Sequence, residues 1–296
     1  MERLCDLHTH SYYSDGTCTP VQLLQLAEEL GLSAIALTDH NTVTGLPEFI
    51  AAGKESPVEA VPGIEFTAEF QGKEVHILGL YLQPEYFPQI EEAMEKVRAR
   101  KARSERELTE KLQEKGMDIS YDALSAATPG GNINRAHIAA EMVKKGYVSS
   151  SREAFATWLS EQWGLYTPAK RLDAFQVIRF INSIGAVAVL AHPFLSLTED
   201  ELRRFLPQAM LLGLDGMETI YSKYDAQTTV LAEQIAAEFG VLPSGGSDFH
   251  GENKPGIYMG IGRGELRIPE QVLEDLRRKG NSKIKNEKTV DFYGIM

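Results

Sequence analysis

Apolar positions gather into seven short runs, at residues 4–7, 34–37, 58–61 continuing towards 66, 75–82, 186–190, 217–220 and 241–243. Several lack alternation, which suits strands buried on both faces. Between many of them the period changes to that of a helix. Residues 20–30 place Leu23, Leu24, Ala27 and Leu30 on one stripe and stop at Gly31; 175–184 and 228–239 stop in the same way at Gly185 and Gly240. Glycine just past a helix end takes the left-handed conformation without a steric penalty. Strand and helix alternate about seven times, which predicts an α/β fold and favours a (β/α) barrel over an open sheet. The alternation breaks between residues 88 and 170, where a long charged helical stretch, 90–115, precedes two shorter ones at 134–145 and 151–162. We read 1–87 and 171–296 as the barrel and 88–170 as a helical insertion on one of its loops. The polar, basic stretch 277–288 is expected to fray.

Charge narrows the class. Asp and Glu number 42 against 30 Lys and Arg, a net charge of −12. Such a chain is a poor sequence-independent binder of duplex DNA, which draws its affinity from cations on phosphates. A small anionic substrate is not excluded where bound metal ions reverse the charge locally. The two cysteines, Cys5 and Cys18, make neither a disulfide framework nor a zinc knuckle. No apolar run reaches the ~20 residues of a membrane helix. The N-terminus lacks a signal peptide's apolar stretch, so the expected location is cytoplasmic.

Histidines carry the candidate chemistry. Six of the seven sit in short clusters with carboxylates, and we place these clusters at the C-terminal ends of strands, the catalytic face of a barrel. His8 and His10 follow the first run with the spacing that puts both on one strand face, and Asp15 comes five residues later. Asp39 and His40 follow the second run, Glu65 the third, His192 the fifth, and Asp248 and His250 the seventh, while His76 begins the fourth. Imidazole with carboxylate is the donor set of borderline divalent metals. One His-x-His or Asp-His pair is weak, since a strand-end Asp is often only a helix cap. Convergence of so many favours a metal site. Gly245-Gly246 allows close backbone approach to a ligand but lacks the Lys of a phosphate loop. Glu218 and Tyr221, at the end of the sixth run, either line the pocket or are structural.

The runs Asp6-Leu7-His8-Thr9-His10-Ser11, Ser14-Asp15-Gly16, Thr38-Asp39-His40, Gly63-Ile64-Glu65, Ala191-His192-Pro193 and Ser247-Asp248-Phe249-His250 together resemble the PHP (polymerase and histidinol phosphatase) family. Within it, the chain is similar to the stand-alone phosphoesterases that act on nucleotides. The resemblance covers nearly the whole chain. It implies a distorted seven-stranded (β/α) barrel with two or three divalent ions, Mn²⁺, Fe²⁺ or Zn²⁺. It places the first ion on His8, His10, Glu65 and Asp248. Glu65 bridges to a second, completed by His76 and His192, and Asp15, His40 and His250 hold a third. Asp39 then stands behind the ligands as a catalytic-site residue orienting an imidazole. Asn41 departs from the Asp common in relatives, which we expect to affect the loop more than the metals.

The seventh histidine lies in Asn134-Arg135-Ala136-His137. It reads as a helix start capped by Asn134. Relatives carry Arg-Pro-His here facing the substrate, so Arg135 and His137 are expected to bind it, with Ala136 in place of the proline. The implied activity is metal-dependent hydrolysis of nucleotide phosphomonoesters by hydroxide formed from water at the clustered ions. Nucleoside monophosphates, 3′,5′-bisphosphonucleosides and short RNA ends are the candidate substrates. A histidinol phosphate phosphatase shares the ligands but normally carries a different insertion. A non-catalytic module that binds a nucleic-acid-processing partner often loses ligands, and here all nine are filled. An amidohydrolase normally needs a Lys or another bridging carboxylate, and no strand-end Lys is present.

Overall fold

The computed structural model describes residues 3–128 and 133–284. Local signals set the element ends. Thr19 and Gln22 form a capping box, with Pro20 at the first turn, and open α1 (Pro20–Glu29) after β1 (Cys5–Thr9). Next come β2 (Ala34–Leu37), α2 (Leu46–Gly53), β3 (Glu59–Phe70) and β4 (Lys73–Leu80). Helices α3 (Phe87–Glu114), α4 (Tyr121–Ala127), α5 (Arg135–Lys144) and α6 (Ser151–Thr157) follow. The chain continues through β5 (Leu172–Asp173), α7 (Ala174–Ser183), β6 (Val187–Ala191), α8 (Glu199–Leu211), β7 (Leu214–Tyr221), α9 (Ala226–Phe239), β8 (Leu242–Gly246) and α10 (Glu270–Ile284). Gly31, Gly185 and Gly240 all have φ near +70° just beyond α1, α7 and α9, as their positions require.

Seven strands run in the order β1-β2-β3-β4-β6-β7-β8, and the two-residue β5 pairs with β3. The sheet is a nearly closed barrel. A parallel bridge joins Thr9 to Phe249, and the Asp248 and His10 amides donate to the His8 and Phe249 carbonyls at 2.9 Å. The approach of β8 to β1 explains Gly246, where a Cβ would lie 2.1 Å from that of His8. At Gly245 a Cβ would meet the Ile220 carbonyl at 2.8 Å. Strand packing, not a ligand, is what these two glycines serve in the structure.

One departure from strand–helix alternation matters for function. Gln71 and Gly72, both with positive φ, form a two-residue turn, so β3 runs straight into β4 with no helix between. β4 is antiparallel to β3 and β6. His76 therefore stands near the N-terminal end of its strand yet opposite Thr67 and Ala191, on the face where the parallel strands end.

Buried residues of five strands, among them Cys5, Leu7, Ala34, Ala36, Val61, Leu78, Leu80, Val187 and Val189, form one apolar core with Val272, Leu273 and Leu276 of α10. α10 touches β1, β6, β7 and β8 and packs against their N-terminal ends, with Lys283 on Asp215 and the Ala186 carbonyl. The stretch from 277 expected to fray is thus helical as far as 284; 285–288 lie outside the described residues.

The chain divides into two compact units, Met1–Ala93 with Arg171–Met296, and Met94–Lys170. The second has its own apolar core, including Leu108, Leu112, Ile119, Ile138, Met142 and Leu159.

Candidate metal centre

β1 and the residue after it present His8 and His10, and the register of β1 shifts between Asp6 and Thr9. The extra residue lets His8 and His10 continue on the side already taken by Cys5 and Leu7. Below them Asp6 is fully buried; its carboxylate accepts the Ser247 and Gly260 amides, each at 2.8 Å, and so anchors the loop that carries Asp248.

Glu65, fully buried on β3, is the hub. His76 Nδ1 and His192 Nε2 lie 2.7 and 3.1 Å from its Oε1. His8 Nε2, His10 Nε2 and His40 Nδ1 lie 3.2, 3.3 and 3.0 Å from its Oε2. Asp248 Oδ1 faces His10 Nε2 at 3.3 Å, His250 Nδ1 at 3.5 Å and His8 Nε2 at 3.7 Å. Asp15 faces His250 Nε2 at 3.1 Å and His10 and His40 at 3.9 Å. All nine residues assigned to metal by the resemblance thus converge. The donor atoms fall into overlapping groups. His10, Asp15, His40 and His250 form one, His8, His10 and Glu65 a second, and His40, Glu65 and His76 a third. A fourth is one that the resemblance did not contain, His8, His192 and Glu218.

The donor set fits divalent cations on a direct observation. His8 Nε2, both nitrogens of His10, His40 Nδ1, His250 Nε2 and Glu65 Oε2 are buried yet lack a hydrogen bond, although they approach one another closely. Burying polar atoms without partners is costly unless something else binds them. The electrostatics agree. Burial alone would depress the His10 and His76 values. Asp248 and Glu65 overturn this for His10, which rises to about 9, and Glu65 and Glu74 do so for His76, which rises to about 10. Burial opposes ionisation of Glu65 and Asp248, but the surrounding imidazoles hold both carboxyls well below their usual range. The site is built to keep its carboxylates charged and to gather positive charge around them.

Neighbouring groups aim the donors. His8 Nδ1 lies 2.9 Å from Glu218 Oε1, and a carboxylate only accepts, so Nδ1 carries the proton and Nε2 is left free. Glu218 Oε2 accepts the His192 amide at 2.6 Å, where the backbone is held at φ 28°. Glu218, fully buried on β7, therefore lies beside the ligands; its place near the end of the sixth run was its only signal. Asp248 Oδ2 accepts from Tyr221 Oη at 2.7 Å and Lys254 Nζ at 2.8 Å. Nothing in the sequence marked Lys254, four residues past His250 in a polar loop.

Among the described residues no imidazole donates to Asp39, unlike the arrangement expected for it; its carboxylate accepts the Ser11 amide at 2.7 Å and the hydroxyls of Ser11 and Ser14 at 2.6 and 2.7 Å. Short polar side chains close by capture it first, and it shapes the loop leading to Asp15. Asn41 adopts φ 50° and pins its loop to β3 through two hydrogen bonds with Thr67, at 3.0 Å each. Asn suits that conformation. Arg135 and His137 have local roles. Asn134 caps α5, with His137 Nδ1 accepting the Asn134 amide at 3.1 Å. Arg135 donates to the Leu159 carbonyl at 3.1 Å and lies 4.2 Å over the Tyr166 ring.

The PHP domain model matches residues 6–160, more than half of the chain. The chain belongs to the PHP family. A 5′-3′ exoribonuclease of Haemophilus influenzae is 31% identical over 251 residues, 84% of this chain and 91% of that protein. A 3′,5′-nucleoside bisphosphate phosphatase of Chromobacterium violaceum is 26% identical over 257 residues, 86% of this chain and 90% of that protein. Among solved structures, one from Bifidobacterium adolescentis assigned as a metal-dependent phosphoesterase superposes with a TM-score of 0.76 at 29% identity, covering 94% of this chain and 96% of that one. The PHP chain described here is accordingly a metal-dependent phosphoesterase. None of its described helices is long and apolar enough to cross a membrane.

Proposed function

We propose that this PHP protein hydrolyses phosphate esters of nucleotides or of short RNA ends, at a centre of two or three divalent ions. The observation that carries this reading is Glu65, with three imidazoles on one carboxylate oxygen and two on the other. That arrangement suits a carboxylate bridging two ions. His8, His10 and Asp248 would hold one, His76 and His192 the other, and Asp15, His40 and His250 a third, with Mn²⁺ or Fe²⁺ the expected metal and Zn²⁺ the strongest competitor. When bound, such ions lower the pKa of water and offset charge on the phosphate.

The chain's own residues do the rest. Glu218 fixes the tautomer of His8 and the backbone of His192. Asp248 keeps one oxygen for metal because Tyr221 and Lys254 occupy the other. Asp39 holds the 11–15 loop so that Asp15 can face His250. The insertion, residues 88–170, acts as a substrate cap through Arg135 and His137. Arg135, at the start of α5, has a guanidinium fork suited to phosphate, while Asn134 takes up the Ala136 and His137 amides.

The names of the relatives support the substrate class, since one acts on RNA from its 5′ end and another on nucleoside bisphosphates. Net negative charge supports short substrates over long duplexes. The test is a panel of phosphomonoesters and short 5′-phosphorylated oligoribonucleotides with Mn²⁺, Fe²⁺, Zn²⁺ and Mg²⁺. We expect turnover of nucleotide or RNA-end phosphates and none of histidinol phosphate. Turnover of histidinol phosphate alone, or of no ester with any metal, would overturn the reading.

A further inference from the structure

The ligand set leaves unexplained a group of cations beside Asp248. Three loops meet there. The Ser222 hydroxyl, just after β7, donates to the Ser247 carbonyl at 2.6 Å. Tyr258 and Gly262 exchange two backbone hydrogen bonds of 2.8 Å, which close a tight loop. Gly262 packs so closely on Ser222 that a Cβ there would lie 2.6 Å from the hydroxyl oxygen. The next residues along the two loops, Lys223 and Arg263, are thereby brought side by side. The third cation, Lys254, reaches Asp248 Oδ2 at 2.8 Å and has two further N–H groups to offer.

These charges are poorly compensated. Lys223 is depressed below its ordinary value by partial burial and then by Lys254 and Arg263, with only Asp248 acting the other way. Among the described residues neither Lys223 nor Arg263 forms an ion pair, in a chain where acids outnumber bases by 12. Cations held together at a cost, next to a site for a phosphate ester, need an anion to offset them.

We propose that Lys223, Lys254 and Arg263 form a subsite for a second phosphate of the same substrate, adjacent to the metal centre that takes the scissile one. This deepens the phosphoesterase reading above and rests on it. The second phosphate is either the other terminal group of a doubly phosphorylated nucleoside or the first internucleotide phosphate of a short RNA. The two share one chemistry, a phosphate next to the scissile group, and the planar fork of Arg263 suits either.

The experiment compares a nucleoside 5′-monophosphate, a nucleoside 3′,5′-bisphosphate and a 5′-phosphorylated dinucleotide, using the Mn²⁺-loaded full chain. The variants are Lys223→Ala and Arg263→Ala, both at exposed positions. Each should raise KM for the two-phosphate substrates about tenfold, the loss of one charge-assisted contact. Monophosphate constants should stay within about twofold of wild type by the same argument. A rise on the bisphosphate alone or the dinucleotide alone identifies the occupant. An equal change on all three substrates, or no change on any, overturns the subsite. Calorimetric titration of the chelated, metal-free protein with a nucleoside 3′,5′-bisphosphate gives a readout independent of turnover. The double variant should bind it at least tenfold more weakly, and equal binding would refute the proposal. If the wild type hydrolyses no phosphate ester, the phosphoesterase reading fails, and the titration still decides the subsite.

Discussion

Replacing Glu65 by Gln keeps the side chain's shape and removes the charge on which five imidazoles converge. The contacts are 2.7–3.3 Å long and fully buried. One unit charge acting across ~3 Å at an effective permittivity of ~20 is worth about 5 kcal/mol. Lost from a carboxylate that bridges two ions, that amounts to three to four decades in metal affinity or in kcat/KM. Two measurements are needed together: metal content after dialysis, by plasma mass spectrometry, and kcat/KM on an accepted ester with metal in excess. We expect Glu65→Gln to retain less than the wild-type complement and to lose at least three decades in rate. Its fold should survive, because the barrel core lies below the site, and circular dichroism of the chelated proteins checks this. If Glu65→Gln holds a full metal complement and loses less than tenfold in rate, Glu65 does not bridge, and the reasoning from its two oxygens fails.

Glu218→Ala frees the His8 tautomer and uncaps the strained His192 amide; metal affinity should fall about 10- to 100-fold by the usual effect of such partners, and unchanged affinity in a metal titration would leave Glu218 without the positioning role. Arg135→Ala should leave metal content intact and lower kcat/KM by about one to two decades, the loss of a charge-assisted phosphate contact; wild-type kinetics together with a lowered Tm would reduce the residue to its contacts with Leu159 and Tyr166. Burial, opposed by Lys101 and Arg135, pushes the Glu105 carboxyl from 4.5 up to about 7. A raised acid value in the folded state favours folding below pH 4.5 and loses that contribution as pH rises through 7. Glu105→Gln should therefore gain on wild type between pH 5 and pH 8, by at most about 3 kcal/mol, and a gap in thermal unfolding that does not widen with pH would contradict the assignment.

The barrel was legible because its strands are continuous apolar runs and its helices end at glycines that must adopt positive φ. The ligands were legible because metal chemistry admits few residue types, and His8, His10 and Asp248 occupy strand ends. His76 shows where pattern reading falls short. Its place at the start of a run is the wrong one for the catalytic face, and only the Gln71-Gly72 turn, which reverses β4, puts it there. Asp39 shows the same for a different reason. Spacing puts it near the ligands, but cannot show that the Ser11 and Ser14 hydroxyls take up its oxygens first. Glu218 and Lys254 depend on contacts 210 and 6 residues apart in sequence. Glu218 stands out locally only by its place near a strand end, which does not reveal its partner, and Lys254 resembles any lysine in a polar loop.

The central claim is that these side chains hold a cluster of ions around Glu65. Anomalous diffraction at the manganese edge, from crystals of the Mn²⁺-loaded protein, tests it most directly. The account predicts two or three peaks, with neighbours ~3.5–4 Å apart as in other multinuclear hydrolytic sites. One lies between His8, His10 and Asp248, one between His76 and His192, with Glu65 shared, and a third, where filled, between Asp15, His40 and His250. Peaks remote from Glu65, or a single ion that Glu65 does not touch, would contradict it.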